Sequence, residues 1–140
     1  MRKTSASAPH AAAPSPASGA DAQLSQADVE RRAGRVAQAR ELYRRTATGS
    51  GMAAEAAWMR LCQLELEAGR LDAAQQALAG YARRFPHGTL GAEAAWTAVR
   101  VAQLRGDEDA ARRAAEHLVA THPRSAQAAA ARRLLGAPTP

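Results

Sequence analysis

Apolar residues recur at helical spacing along most of this chain, and glycines and prolines divide them into segments. In one segment Trp58, Leu61, Cys62 and Glu65 follow the steps i, i+3, i+4 and i+7 before Gly69 ends the pattern. The whole pattern predicts about seven helices and no strand. The first three helices are expected at 21–34, 36–48 and 52–68, and the fifth at 89–105. The fourth has Asp72 in its first turn and stops at Phe85-Pro86, and the sixth begins at 107–109 and stops before Pro123. The last is capped by Ser125 and ends at 134–136.

Part of this pattern occurs twice. Residues 54–58 and 92–96 both read Ala-Glu-Ala-Ala-Trp, and each copy is followed by a glycine, an alanine and a proline. From the glycine onward the distances are equal, while one residue fewer separates Trp96 from Gly106 than Trp58 from Gly69. The repeated positions are Trp58 and Trp96, Gly69 and Gly106, Ala74 and Ala111, and Pro86 and Pro123. A period of 37 residues between the prolines is typical of stacked helix pairs. The glycines are expected to end helices, and the alanines to let the two helices of a pair approach closely.

The repeated positions resemble a tetratricopeptide repeat. One copy reads Trp58-x2-Leu61-(x7)-Gly69-(x4)-Ala74-(x3)-Leu78-(x2)-Tyr81-(x4)-Pro86, with Leu78 in place of the usual aromatic and Tyr81 where a small residue is usual. A second copy matches at Trp96, Val99, Gly106, Ala111 and Pro123, and a degenerate copy at Gly34, Ala39 and Tyr43. The resemblance covers about residues 21–135 and implies an all-α, right-handed α-solenoid of antiparallel helix pairs, with about three repeats and a C-terminal capping helix.

The turns between the copies are similar to those of the tetratricopeptide variant common in bacterial cell-envelope proteins. They read Arg-Phe-Pro-His-Gly at 84–88 and Thr-His-Pro-Arg-Ser at 121–125. The resemblance implies a non-catalytic scaffold for protein–protein interaction that binds a peptide or helix of a partner in a concave groove. The residues expected to line that groove are Met59, Gln63, Leu66, Thr97, Arg100, Val101 and Leu104. The chain has no Asn, and its only Lys is Lys3, so the two-carboxylate clamp of chaperone-binding relatives is not expected.

Two other functions remain open. The chain resembles a soluble structural domain of a larger membrane-anchored envelope or regulatory protein, which would mediate assembly or form a homo-oligomer. The formal net charge of +6, carried by 18 Arg and one Lys, would also permit weak binding of nucleic acid. Nucleic acid is the less expected partner because the arginines are interleaved with Glu and Asp. It would gain support if the following arginines shared one face without acidic neighbours: Arg31, Arg35, Arg60, Arg100 and Arg105.

The ends of the chain and its single cysteine add little chemistry. Residues 1–20 are rich in Ala, Ser and Pro and predict a disordered tail or linker, 21–136 the helical domain, and 137–140 a frayed end. No apolar segment is long enough to span a membrane, and no signal peptide is recognisable. The expected compartment is the cytoplasm for the chain as given, or the periplasm if it belongs to a membrane-anchored parent.

No catalytic motif is recognisable, so the chain is not expected to be an enzyme, to use a cofactor, to bind a metal or to act on a small-molecule substrate. Cys62 is expected to be a buried small residue, and the acidic run 107–109 to cap a helix. Trp58 and Trp96 are expected to be wedges in the core.

Overall fold

The computed structural model describes residues 16–136, and this part of the chain forms seven helices and no strand. They are α1 (Pro16–Arg32), α2 (Val36–Ala47), α3 (Gly51–Glu67), α4 (Leu71–Arg84), α5 (Gly91–Leu104), α6 (Glu108–Thr121) and α7 (Ala126–Gly136). The predicted all-α class and the number of helices are confirmed. Helix α1 begins five residues earlier than expected, because proline is compatible with the first turn of a helix and does not have to precede it. Residues 16–20 of the tail predicted over 1–20 are therefore helical, whereas its remainder, 1–15, and the predicted frayed end over 137–140 lie outside the described residues.

Three glycines end alternate helices in the same way. Gly34, Gly69 and Gly106 follow α1, α3 and α5 with φ of 78°, 72° and 73°, a region where a side chain is strained. In each turn the residue after the glycine donates its N–H to a carbonyl five residues back, which is the bond of a Schellman motif. These bonds join Arg35 to Glu30 at 2.9 Å, Arg70 to Glu65 at 2.9 Å and Asp107 to Ala102 at 3.0 Å. The glycine turns predicted at Gly69 and Gly106 are therefore confirmed.

The two proline turns are also alike. Helices α4 and α6 end at Phe85 (φ −129°, ψ 65°) and His122 (φ −133°, ψ 56°), the residues directly before Pro86 and Pro123. A residue that precedes proline is disfavoured in the helical region, so both helices stop there.

The helices contact one another in a regular order. Each helix packs against the next one in the chain, and α1, α3, α5 and α7 also contact one another in sequence. Within the described residues α2, α4 and α6 make no contact with each other. Helix α3 packs against α1, α2, α4 and α5, and it is therefore covered on most sides.

Small residues lie where helices meet, as predicted. Ala39 and Ala74 are fully buried, and Ala111 is 5% exposed. Buried side chains form one cluster around Tyr43, Leu61 and Cys62 and a second around residues of α5, α6 and α7, namely Val99, Ala115, Leu118 and Ala131. Alanine therefore supplies close approach, while a few larger side chains fill the space between the helices.

The two tryptophans differ from the prediction of buried core wedges. Trp58 and Trp96 pack against the two clusters, but each is only half-buried. The six-membered ring of Trp58 lies on Gly80 of α4, and a Cβ at that glycine would stand 2.5 Å from Cη2 and Cζ3 of the ring. The indole thus covers the backbone of α4 at one face and leaves part of its surface open.

Candidate functional site

The predicted groove residues lie on α3 and α5, and with the adjoining side of α1 they belong to what we call the α1–α3–α5 face. Leu104 is 56% exposed and Arg100 is also exposed, whereas Gln63 and Leu66 are half-buried. These four residues reach solvent and are available to a partner.

The other three predicted groove residues are buried. Met59 is 2%, Val101 4% and Thr97 5% exposed. Helices α3 and α5 contact each other, and α3 is covered by four helices, so side chains in the seam lose their access to solvent. The prediction that Met59, Thr97 and Val101 offer surface to a partner is therefore corrected, and these residues belong to the packing between the helices.

A polar network that the sequence pattern did not reveal joins α1 to α3. Asp28 accepts a hydrogen bond from the hydroxyl of Tyr43 at 2.6 Å and lies 2.9 Å from Nη1 of Arg60. A second ion pair across the same seam joins Arg31 to Glu67. Burial, together with the neighbouring Asp28 carboxylate, raises the pKa of Tyr43 to about 12, so its hydroxyl stays protonated as the donor. The α1 side of this face is thus polar and internally paired.

The repeat spacing was a signal that could have found part of this network. Gly34 and Gly69 are 35 residues apart, and the same shift carries Gln63 and Leu66 onto Asp28 and Arg31. The groove positions of α3 therefore have charged counterparts in α1. Between α3 and α5 the contact is different, because Gln63 donates a hydrogen bond to Glu93.

The arginines whose arrangement would favour nucleic acid are mostly paired. Salt bridges join Arg31 to Glu67, Arg35 to Glu30, Arg60 to Asp28 and Arg105 to Asp72. Among the described residues Arg100 alone of the five has no acidic partner. The predicted condition for a phosphate-binding face, arginines without acidic neighbours, is not met at these positions.

Glu55 is a buried carboxylate that connects α3 to the turn between α4 and α5. It accepts hydrogen bonds from the Tyr81 hydroxyl at 2.6 Å, the Thr89 hydroxyl at 3.1 Å and the Leu90 N–H at 2.8 Å. Burial alone would raise the pKa of Glu55, but these three donors outweigh it and hold the pKa below its ordinary value. A Cβ at Gly88 would stand 2.3 Å from Oε1 of Glu55, so this turn approaches the carboxylate too closely for a side chain. All three donors are groups of this chain, so the carboxylate of Glu55 has a structural role: it ties α3 to the turn between α4 and α5.

The remaining polar candidates have structural surroundings. Asp107 accepts a hydrogen bond from the N–H of Ala110 at 2.9 Å, which confirms its role as the cap of α6. Cys62 is buried as predicted, and burial raises the pKa of its thiol to about 12, so the reactive thiolate is suppressed.

Over residues 16–136 no group of three His, Cys, Asp or Glu side chains is placed to hold a metal ion. None of the helices in this range is both long enough and apolar enough to cross a membrane.

The comparisons with known proteins add no identity. Neither the scan of protein-family models nor the search of curated proteins returns a match to this chain.

Proposed function

We propose that this chain is a tetratricopeptide-like right-handed α-solenoid and that it works as a non-catalytic protein–protein interaction module. The three glycine turns with nearly equal φ support the repeated unit, as do the two proline turns with matching backbone angles. The first helices of successive pairs contact one another, whereas within residues 16–136 the second helices α2, α4 and α6 do not. This pattern is expected for stacked helix pairs that curve, with the first helices on the concave side. On this reading α7 is the capping helix, and its exposed Arg132 and Arg133 keep its outer side solvated.

The observation that carries the binding proposal is the exposure of Leu104 beside Arg100 near the end of α5. Within the part of the chain that the structure describes, Leu104 is one of three large apolar residues that are more than a third exposed, and Arg100 takes part in no ion pair there. An apolar side chain next to a free cation suits a peptide or helix that has an apolar residue close to an acidic one. The polar, self-paired seam between α1 and α3 directs that contact toward the α5 end of the face.

The test uses a photo-crosslinking amino acid at position 104, compared with the same amino acid at the exposed Gln76 of α4. The expected result is a discrete crosslinked protein from position 104 that is absent with the double variant Arg100→Glu/Leu66→Glu. A control with an even larger change of charge, Arg112→Glu/Arg113→Glu on the exposed side of α6, should retain the crosslink. Equal capture from positions 76 and 104 would contradict the proposed face.

The second candidate function is assembly through self-association, as expected for a structural domain of a larger protein. Its support is Val29 of α1, which is 45% exposed on a helix that has no preceding helix against it among the described residues. Sedimentation of wild type and Val29→Glu over a range of concentrations tests this function, and a monomer at every concentration would contradict it.

A further inference from the structure

An apolar cleft opens between α2 and α4, with α3 as its floor. It has a volume of about 450 Å³. Its lining consists of Arg44, Ala47, Thr48, Trp58, Leu61 and Arg84. We call it the Trp58 cleft. None of these residues belongs to the α1–α3–α5 face, so the cleft is a separate feature of the molecule.

The floor of the cleft is apolar and rigid. Leu61 is 8% and Ala47 5% exposed, whereas Trp58 is half-buried and contributes part of its indole to the open space. Gly80 supports the other side of that ring at close distance, which limits movement of the indole toward α4. The indole Nε1 is buried and has no hydrogen-bond acceptor among the described residues, so the part of the indole open to the cleft is its apolar ring.

Two exposed arginines stand at the rim, and no acidic side chain lines the cleft. Arg84 donates a hydrogen bond from Nη2 to the carbonyl of Gly49 at 2.7 Å, which holds its guanidinium across the turn between α2 and α3. Neither Arg44 nor Arg84 takes part in an ion pair among residues 16–136. The rim therefore carries positive charge that this part of the fold does not neutralise.

The corresponding positions one helix pair further along the chain, where Trp96 takes the place of Trp58, show that the fold does not require these arginines. The helix-pair spacings of 35 and 37 residues carry Arg44 onto Ala79 and Arg84 onto Thr121. Ala79 and Thr121 are uncharged and exposed on helices that form equally well. The two rim arginines are thus particular to the Trp58 cleft, although the same spacing of 35 residues carries Thr48 of its lining onto the exposed Arg83.

We propose that the Trp58 cleft binds an acidic segment of a partner protein, with one large apolar side chain on the indole and flanking carboxylates on Arg44 and Arg84. The charge of the rim selects an anionic occupant. The apolar floor favours a segment with an apolar anchor over a ligand that offers phosphates alone, since an anchor in a pocket supplies most of the binding energy of such contacts. This site goes beyond the proposed function and does not depend on the α1–α3–α5 face.

The experiment follows the fluorescence of Trp58 in a Trp96→Phe background, where it is the only tryptophan. The probe is a blocked synthetic peptide with a Leu-Phe pair between acidic residues, and two control peptides carry Ala in place of the pair or Lys in place of the acids. We expect a saturable change in emission with the probe alone, which weakens as salt is added. The double variant Arg44→Glu/Arg84→Glu should bind the probe about tenfold more weakly or worse.

Three controls keep the result interpretable. Arg44→Glu alone is included because the side chain of Arg44 makes no hydrogen bond or ion pair among the described residues, so its loss should spare the fold even if Arg84→Glu does not. Arg112→Glu/Arg113→Glu matches the charge change on α6 and should leave the affinity for the probe unchanged. Arg100→Glu/Leu66→Glu should also keep the affinity, which separates this site from the proposed function.

Several outcomes would overturn the proposal. These are the absence of saturable binding, equal affinity in wild type and in Arg44→Glu, and equal affinity for the Ala peptide. Tighter binding of a single-stranded oligonucleotide that displaces the probe would reassign the cleft to nucleic acid. Tighter binding of dodecanoate would reassign it to a small anionic amphiphile.

Discussion

Gly80 lies in the middle of α4, where alanine would ordinarily be the better residue. In a helix interior the change from Gly to Ala stabilises a protein by about 1 kcal/mol. At Gly80, however, a Cβ would stand 2.5 Å from two ring carbons of Trp58, much closer than two carbon atoms can pack. We therefore expect Gly80→Ala to destabilise the fold, against the rule of helix propensity.

The magnitude follows from two opposed effects. Overpacking a close contact costs about 1–3 kcal/mol, and the gain in helix propensity offsets about 1 kcal/mol of it. The expected result is a net loss of about 1 kcal/mol. Gly19 of α1 is the matched control, because a Cβ there meets no heavy atom within 4 Å and the residue is helical. Because Gly19 lies in the first turn of α1, Gly19→Ala should gain at most about 0.5 kcal/mol, so that the two variants change stability in opposite directions.

The assay is thermal and urea denaturation followed by far-ultraviolet circular dichroism, with wild type and both variants under one set of conditions. For a domain of this size, a change of 1 kcal/mol shifts Tm by about 3–5 °C, well above the error of the measurement. The double variant Trp58→Phe/Gly80→Ala completes the test, because the smaller ring makes room for the new methyl group. Trp58 and Gly80 should then show a non-additive coupling.

One result would refute this reasoning. If Gly80→Ala raised Tm as Gly19→Ala does, the ring of Trp58 could not lie on Gly80, and the register of α3 against α4 would be wrong. Strict additivity of Trp58→Phe and Gly80→Ala would place the cause of any destabilisation outside this contact.

Three further predictions concern other contacts. Because the pKa of Glu55 is lowered in the folded state, its carboxylate stabilises the fold at pH values above the unfolded-state pKa, and this stabilisation is lost as pH falls through the folded-state pKa. Glu55→Gln should cost about 1–3 kcal/mol at neutral pH and should weaken the loss of stability on acidification. Urea titrations between neutral and acidic pH measure both effects. Gly69→Ala should cost about 1–2 kcal/mol because φ is 72° there, whereas Gly136→Ala, without positive φ, should be neutral by the same titration. Ala111→Leu should cost about 1–3 kcal/mol by overpacking, and a Tm equal to that of the exposed control Ala129→Leu would contradict the tight approach of α5 and α6.

Much of the fold could be predicted because the signals are local. A glycine at the end of a helix or a residue before proline restricts its own backbone, so the turns at Gly69, Gly106, Pro86 and Pro123 follow from a few neighbouring residues. Helical spacing of apolar residues likewise depends on the geometry of one helix. The early start of α1 was missed because a proline near a helix start is compatible with either side of the boundary.

The candidate site could be predicted only in part. Helical periodicity identified which residues of α3 and α5 point away from the second helix of their own pair. It contains no information on how closely the neighbouring pair approaches. Met59 and Val101 are buried for that reason, while Leu104 near the helix end remains exposed. The rim of the Trp58 cleft was missed because its two arginines are 40 residues apart in the chain and meet only when α2 and α4 flank α3.

By itself the sequence determined the helices, their ends apart from the start of α1, and the small residues between them, since each depends on a residue and its near neighbours. Only the tertiary structure decided which polar groups are paired between helices, as Asp28 of α1 is with Arg60 of α3. Glu65 has helical spacing typical of a packed face, and it is buried because Arg40 of α2 and Arg70 after the glycine turn approach its carboxylate. A buried charge is costly unless partners reach it. Arg70 is only five residues from Glu65 in the chain, but Arg40 reaches Glu65 only because α2 packs against α3.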